Sequence, residues 1–309
     1  MDPQRLGLVA PRLHYFQLVA RLGSIRQAAR LLNVAPSSIS RALAQFEEEL
    51  DTPLFDRSTR RLKLTSAGEL MLYRARTRAA ELNRAVSELS ELKGLRRGAF
   101  SIAVVESVAR GLAAETLATF WQRYPEITVD MRVVDSAQAF ASVAEGDCEI
   151  GIAFDIAAPK ATQRLTMVEL GIGALVMPGH HLAGRPALRL HELAGERIIL
   201  SDTSLSLGRA LEEALEAAGV GVARRMRTNS IEMMVDLACR GLGVALQTRI
   251  GIERERAAGL IGFVPIQAPR LKPRRLTLVT RGKGNTSEAA TALAALLSAA
   301  MEQAARIDG

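Results

Sequence analysis

A stripe of small hydroxyl residues and one arginine lies on one face of a predicted helix that starts at Pro36. With Ile39 turned inward, a rotation of about 100° per residue points Ser37 and Arg41 outward. The same exposed side carries Ser38, Ser40 and Gln45. Such a face can hydrogen-bond to base edges, because small residues allow close approach and arginine can bond two guanine acceptors. On these residues alone, a helix pair with a solvated face is the alternative.

The residues before this helix predict a second helix and a tight turn. Ser24 and Gln27 form a capping box at the start of the preceding helix. Asn33 and Val34 make the turn, and Pro36 suits the first position of the next helix. The predicted buried residues of the later helix are Ile39, Leu43, Phe46 and Leu50, and those of an earlier third helix are Leu13, Phe16, Val19 and Ala20.

A basic hairpin is predicted after these helices, with two short strands around Ser58 to Arg60. Its cations would contact phosphates and so fix the protein on a duplex without reading its sequence. These cations are Arg57, Arg60, Arg61 and Lys63, and the predicted DNA-contacting set is completed by Ser24, Arg26 and Arg30.

The run YFQLVARLGSIRQAARLLNVAPSSISRALAQFEEELDTPLFDRSTRRLKLTSAG resembles the winged helix-turn-helix domain of the LysR-type transcriptional regulators. The match extends without gaps over roughly residues 8–65 and includes the PLF-x-R and LT-x-AG blocks. One position departs from the pattern: many relatives carry serine where this chain has Ala35. The recognition helix therefore lacks a side-chain oxygen at its N-cap.

The net charge of this 309-residue chain is +7 and is unevenly distributed. Residues 1–98 hold 17 lysines and arginines against 10 acidic residues, whereas residues 99–309 hold 23 of each. The excess therefore lies on the segment that carries the helix-turn-helix pattern. Double-stranded DNA, whose phosphates must be neutralised, is the expected partner.

A long helix is predicted from Thr65 or Ser66, with Glu69 completing a capping box from Ser66. Its apolar residues repeat at spacings of three and four and are Leu72, Ala75, Ala79, Leu82, Val86 and Leu89. So narrow a seam favours a dimerisation helix over residues 66–95, and packing on its own winged domain is the alternative. The resemblance implies an antiparallel coiled-coil linker here, within a dimer that doubles to a tetramer.

Strands and helices alternate from Ala99, which predicts a mostly parallel α/β domain over residues 99–309. The helices are expected at about 109–123, 137–145, 206–218, 230–240 and 286–305. Crossing strands near 155–164 and 264–269 would divide it into lobe I, residues 99–158 and 267–309, and lobe II, residues 159–266. The resemblance implies an effector-binding domain similar to the type 2 periplasmic binding proteins.

Polar residues follow several predicted strands, where ligands bind in open α/β folds. They are Ser107, Ser136, Ser201, Asp202, Thr203, Asn229, Ser230 and Gln247. Ordinary helix capping is the alternative for each one. As a set, with helix N-termini facing a cleft between the lobes, they predict a small polar or anionic effector. Amphiphilic or aromatic carboxylates are favoured over highly phosphorylated molecules, because residues 99–309 are charge-balanced.

Catalytic and metal-binding patterns are missing from the sequence, so neither an enzyme nor a cofactor is expected. The pair His180-His181 follows Pro178-Gly179, which indicates a solvated loop rather than a ligand site. Cys148 and Cys239 are expected to be reduced thiols rather than a redox switch or a disulfide. No secretory signal or apolar run of membrane-spanning length is recognised, which predicts a cytoplasmic protein without membrane contact.

The sequence thus predicts a LysR-type transcriptional regulator with a multidomain α/β architecture. Its dimer or tetramer would place recognition helices at separated half-sites of an imperfect palindrome, with a small-molecule co-inducer altering DNA binding. RNA polymerase is a further partner that this function implies. Two alternatives stay open: a solute-binding or enzymatic α/β protein with an N-terminal assembly domain, and a DNA-binding protein without an effector.

Overall fold

The chain forms two compact units in the computed structural model, residues 1–99 with 145–147 and residues 100–144 with 148–309. The structure describes residues 10–56, 62–92, 98–282 and 286–308. Within this part of the chain, no helix is both long and apolar enough to cross a bilayer.

The N-terminal unit is a winged helix-turn-helix with a small apolar core. Its elements are α1 (Pro11–Leu22), α2 (Ile25–Leu32), α3 (Pro36–Glu49), β1 (Phe55–Asp56), β2 (Lys63–Leu64) and α4 (Ser66–Leu92). Strands β1 and β2 pair antiparallel, which confirms the predicted hairpin. Phe16, Val19, Ile39 and Leu43 are buried in the core, as predicted. Leu50 was predicted to be buried and is 37% exposed, because it lies at the C-terminal cap of α3.

The local signals of the helix-turn-helix are confirmed. The Ser24 hydroxyl oxygen accepts a hydrogen bond from the Gln27 N–H at 3.3 Å. Asn33 ends α2 with a φ of 54°, a left-handed conformation that asparagine tolerates better than most residues. Pro36 is the first residue of α3, and Ala35 caps it without a side-chain hydrogen bond.

The junction between the wing and α4 is held by two side chains. The Glu47 carboxylate accepts from the N–H groups of Leu54 and Phe55 at 2.8 and 3.0 Å. The Thr65 hydroxyl donates to the Pro53 carbonyl at 2.7 Å and accepts from the Gly68 N–H at 3.0 Å. Thr65 therefore caps α4, and the predicted cap at Ser66 is wrong because Ser66 is already helical.

Replacing Gly68 with alanine is expected to destabilise the N-terminal unit by about 1–3 kcal/mol, the usual cost of overpacking. A methyl group at Gly68 would lie 2.1 Å from the Leu54 carbonyl oxygen, so the wing and α4 would have to separate. Urea unfolding monitored by circular dichroism measures the change. Glu69→Ala is the neighbouring control, because Glu69 is exposed on the same turn of α4. A Gly68→Ala protein as stable as wild type would contradict this packing.

The predicted seam of α4 is divided between two environments. Leu72 is 8% exposed and belongs to the core of the N-terminal unit, and Ala75 is also buried. Both residues are thus wrongly assigned to the dimer seam, because their side chains are already buried within the chain. Ala79 and Leu82 are only partly buried. The side chains of Val86 and Leu89 lie outside the described residues.

The C-terminal unit contains two five-stranded sheets flanked by helices. Its strands are β3 (Gly98–Val104), β4 (Ile127–Val133), β5 (Ile150–Phe154), β6 (Thr162–Leu170), β7 (Gly173–Val176), β8 (Arg197–Ser201), β9 (Ala223–Thr228), β10 (Val244–Gln247), β11 (Gly262–Pro265) and β12 (Arg274–Arg281). Its helices are α5 (Glu106–Arg110), α6 (Leu112–Arg123), α7 (Ser136–Ala144), α8 (Ser206–Ala217), α9 (Ile231–Cys239), α10 (Glu253–Ala257) and α11 (Glu288–Asp308), with a short 3-10 helix at Leu190–Leu193.

Both sheets are mixed, which corrects the prediction of mostly parallel strands. Lobe I has the strand order β4-β3-β5-β12-β6, and lobe II has the order β11-β7-β10-β8-β9. The pairs β3–β5, β8–β9 and β8–β10 are parallel. Strands β12 and β7 run antiparallel to both of their neighbours. These two strands follow the crossings between lobes, so no right-handed helical crossover fixes their direction.

The lobe boundaries also differ from the prediction. Strand β6 pairs with β12 in lobe I, so the first crossing is at Gly171–Ile172 and not near 155–164. The return crossing lies between β11 and β12, at residues 266–273. The helix predicted at 109–123 is two helices, α5 and α6, separated at Gly111. The short helix α10 was not predicted.

Candidate nucleic-acid interface and effector cavity

The outward face of α3 is exposed as the sequence predicts. Ser37, Ser38, Ser40, Arg41 and Gln45 are all exposed, while Ile39 and Leu43 hold the opposite face in the core. The Gln45 amide donates to the Glu49 carboxylate at 3.2 Å, and Glu49 also pairs with Arg12. Gln45 must therefore leave this contact to read a base, whereas Arg41 is exposed at the centre of the face.

The flanking residues differ in their exposure. Arg26 and Arg30 are exposed on α2. Ser24 is partly buried and already caps α2, so its hydroxyl serves the helix first. Lys63 is exposed on β2 opposite Asp56. Arg57, Arg60 and Arg61 lie outside the described residues.

A cavity of about 520 Å³ lies in the C-terminal unit, with walls from both lobes. Four of the predicted effector residues line it, namely Ser107, Ser136, Asn229 and Gln247. The other four, which are not among its lining residues, are Ser201, Asp202, Thr203 and Ser230. The Asp202 carboxylate turns back to accept from the N–H and hydroxyl of Ser204, and this lowers its pKa. The Ser230 hydroxyl caps α9 by accepting from the Met233 N–H at 3.3 Å.

The N-terminus of α9 is occupied by a carboxylate from the other lobe. Glu106, at the start of α5, accepts from the N–H groups of Ile231 and Glu232 at 3.0 and 2.9 Å. The Ser230 hydroxyl donates to the same carboxylate at 3.3 Å. The prediction that this helix offers unpaired N–H groups to an anionic ligand is therefore wrong, because Glu106 supplies the anion.

Arg110 adds a second link between α5 and lobe II. Its guanidinium donates to the Gly251 carbonyl at 3.1 Å and to the Glu255 carboxylate at 2.8 Å. It also lies 3.5 Å from the Glu232 carboxylate. Helix α5 thus presents one anion and one cation to lobe II, and each meets groups of opposite polarity.

Asp155 forms the third link and holds a strained backbone position with a φ of 54° directly after β5. Its carboxylate accepts from the Arg275 N–H at 3.0 Å and from the Ser206 hydroxyl at 3.4 Å. It also forms an ion pair with Arg274, although Nη2 of Arg274 lacks a hydrogen bond of good geometry. Burial lowers the pKa of the Arg274 guanidinium, and the Asp155 carboxylate opposes that shift.

Gln247 is the polar residue of the cavity wall with the least satisfied side chain. It is 2% exposed, and neither its amide oxygen nor its amide nitrogen has a hydrogen-bond partner in the described part of the chain. A buried polar group without a partner costs about 1–3 kcal/mol. A molecule entering the cavity can supply the missing partners if the amide rotates toward it.

Replacing Glu106 with glutamine is expected to lower the free energy of unfolding by about 1–3 kcal/mol, because hydrogen bonds to a charged acceptor are lost. The midpoint of thermal unfolding should fall by about 2–4 °C for each kcal/mol in a domain of this size. Calorimetry of the full chain measures it. Glu232→Gln is the matched control, since that side chain is 76% exposed in the first turn of α9, the helix that Glu106 contacts. Equal midpoints for both variants would contradict a structural role for Glu106.

The sequence predicted several residues that line the cavity, but not the charged residues Glu106 and Arg274. The place of Glu106 directly before the predicted Ser107, just after β3, was a signal that it lies near the cavity, but nothing in the sequence indicated its contact with the helix that begins after Ser230. Arg274 carried no such signal, because its burial depends on the pairing of β12 with β6 and on the contact with Asp155, which the sequence does not reveal.

These two units together define a class of protein: a DNA-binding protein with a separate two-lobed sensory domain. Residues 11–69 match the family model described as bacterial regulatory helix-turn-helix protein, lysR family, and residues 93–302 match the LysR substrate binding domain. The chain belongs to the LysR family and is a DNA-binding transcriptional regulator with an effector-binding domain.

Known relatives agree over most of the chain. A probable RuBisCO transcriptional regulator of Cyanidioschyzon merolae is 27% identical over 294 residues, which cover 92% of this chain and 96% of the relative. The uncharacterized HTH-type transcriptional regulator YybE of Bacillus subtilis is 26% identical over 76% of this chain and 80% of its own length.

Solved structures share the fold. A full-length cysteine-to-aspartate variant of OxyR from Pseudomonas aeruginosa superposes with a TM-score of 0.66 at 16% identity, covering 96% of this chain and 95% of that one. Full-length CbnR complexed with its target DNA superposes with a TM-score of 0.58 at 18% identity, and the match covers 96% of this chain and 99% of that one.

Proposed function

We propose that a small molecule binds in the cavity between the lobes and changes how the regulator binds DNA. The cavity itself carries this proposal: its volume of about 520 Å³ is in the range of small-molecule sites. Its walls combine apolar side chains such as Val105, Phe154 and Leu205 with a few polar groups. A ligand that favours one arrangement of the lobes shifts the population toward it.

The proposed effector is a small polar molecule, and a carboxylate on it would be directed away from α9. Glu106 already holds the N-terminus of α9, so a second anion there would be repelled. Arg209 and Arg274 line the same cavity, and an anionic group would share the charge of Arg274 with Asp155. The unpartnered amide of Gln247 can both donate and accept hydrogen bonds, which favours a ligand with a neighbouring acceptor and donor.

A thermal-shift screen of metabolites tests the effector site. We expect a ligand that stabilises the wild-type protein and whose effect is lost in a Ser107→Ala/Asn229→Ala double mutant. Thr203→Ala is the control, because Thr203 is exposed and does not line the cavity. If a stabilising ligand binds the double mutant with undiminished affinity, the residues proposed for this site are wrong.

We further propose that the regulator acts as a dimer or tetramer formed through α4, in the cytoplasm, and contacts RNA polymerase. Partly exposed Ala79 and Leu82 support an interface along the second part of α4. The dimer would place two α3 helices at the half-sites of an imperfect palindrome. No enzymatic activity and no cofactor are proposed.

A second candidate is a regulator that needs no effector, and the Glu106 contact favours it. The carboxylate already bonds the two lobes as an anionic ligand would. Under this alternative, Glu106→Gln alters DNA affinity in the absence of any metabolite. Under the effector model, the same variant changes DNA affinity chiefly when the effector is present.

A further inference from the structure

Two histidines and a glutamate meet in lobe II. The imidazoles of His180 and His181 are stacked with their centres 4.6 Å apart. Nε2 of His181 lies 3.0 Å from one carboxylate oxygen of Glu196, and Nε2 of His180 lies 3.6 Å from the other. The three ligand atoms lie within 4.8 Å of one another. None of these three residues lines the effector cavity.

We propose that this trio is a binding site for a divalent transition-metal ion, with Zn²⁺ as the ion that fits it best. Tetrahedral zinc with bonds of 2.0–2.1 Å holds its ligand atoms about 3.3–3.4 Å apart. The nitrogen–oxygen distances of 3.0 and 3.6 Å are close to that spacing but involve different oxygens of Glu196, so a small side-chain movement must bring one oxygen toward both nitrogens. Two imidazoles and one carboxylate leave a fourth position open for water, as in zinc sites with three protein ligands.

The backbone on both sides of the site is fixed. Leu182 follows the histidine pair and Leu193 precedes Glu196, and both are buried in the core of lobe II. The Glu196 N–H donates to the Leu193 carbonyl at 3.1 Å, and the His180 N–H donates to the Met177 carbonyl at 3.2 Å. The ligands are therefore presented by two anchored turns, which limits the entropy lost when a metal binds.

One hydrogen bond must change for the metal to bind. Nδ1 of His180 accepts from the Leu182 N–H at 3.3 Å. In a neutral imidazole that binds a metal through Nε2, the proton lies on Nδ1, so this long contact would break. Glu196 gains a dipositive partner in exchange, at a side chain that is largely buried.

Sequence reasoning assigned the histidine pair to a solvated loop because the third ligand is distant in sequence. Glu196 comes from the turn before β8, whereas the histidines follow β7. These strands are not neighbours in the sheet, since β10 lies between them. The turns at their ends nevertheless bring the three side chains together.

Zinc titration of the full chain, without a histidine tag and with reduced cysteines, tests the proposal. A colorimetric zinc indicator serves as the competitor, and the visible spectrum of bound Co²⁺ reports the coordination geometry. We expect one ion per chain in the wild type and a tetrahedral Co²⁺ spectrum. His181→Ala and Glu196→Gln should each weaken binding by at least about 10- to 100-fold.

His191→Ala is the matched control, because His191 is an exposed histidine of the same lobe outside the trio. Since His181 is largely exposed, its replacement should leave the circular dichroism spectrum unchanged. Stoichiometric binding that survives in His191→Ala and is lost in His181→Ala supports the site. Absence of stoichiometric binding in the wild type, or equal affinity in His181→Ala, overturns it. The titration contains neither DNA nor effector, so either result leaves the proposed regulatory function untouched.

Discussion

A Leu82→Glu protein is expected to sediment as a monomer and to bind its operator about 10²–10⁴-fold more weakly than wild type. Leu82 is partly exposed on α4, beyond the segment buried within the chain at Leu72 and Ala75. A partner helix would bury it, and a carboxylate buried in that seam without a counter-ion is strongly unfavourable. Loss of the dimer separates two linked DNA-binding units, and the second binding event is then no longer intramolecular.

Glu81→Ala is the control, because Glu81 is exposed on the neighbouring face of the same helix. Sedimentation velocity of the two variants gives the oligomeric state, and fluorescence anisotropy with an operator duplex gives the affinity. A Leu82→Glu protein that remains dimeric would show that the interface lies elsewhere. Unchanged circular dichroism excludes unfolding as the cause of a monomer.

An Arg41→Ala protein is expected to lose about 1–3 kcal/mol of binding to its operator and to discriminate poorly at one base pair of each half-site. Arg41 is exposed at the centre of the α3 face, and its guanidinium can donate two hydrogen bonds to a guanine. Binding to unrelated DNA should change much less, since the phosphate contacts remain. Titrations with operator and scrambled duplexes at one salt concentration measure both.

Lys63→Ala provides the contrasting variant. Lys63 is exposed on the wing strand β2, where a phosphate contact is expected. Its loss should weaken binding to both duplexes equally. It should also reduce, by about one, the slope of the logarithm of the association constant against the logarithm of the salt concentration. If Arg41→Ala behaves like Lys63→Ala, the orientation of α3 proposed here is wrong.

Short-range sequence signals predicted the N-terminal unit well. The cap at Ser24, the left-handed Asn33 and the initial Pro36 each act within a few residues, so the chain order alone reveals them. The exceptions are the helix cap predicted at Ser66 and the environments of Leu50, Leu72 and Ala75. Periodicity shows which face of a helix is apolar. It does not show whether a residue near the end of that helix packs against the core of its own unit, because this depends on the tertiary structure.

Long-range pairing explains the errors in the C-terminal unit. The alternation of strands and helices predicted both lobes and the return of the chain to lobe I near residue 267, but not that β12 lies antiparallel between β5 and β6. Contacts between distant segments were also missed at the cavity. Ser107 was found from its place after β3, whereas the meeting of Glu106 with α9 joins segments far apart in the chain.

Selection of bound duplexes from a random DNA pool, followed by affinity measurement, tests most directly that α3 reads DNA sequence in this regulator. We predict that the wild type enriches two related half-sites in inverted orientation, and that Arg41→Ala relaxes the same base pair in both. If the protein binds DNA in a salt-dependent way but enriches no particular sequence, sequence-specific recognition by this helix is contradicted.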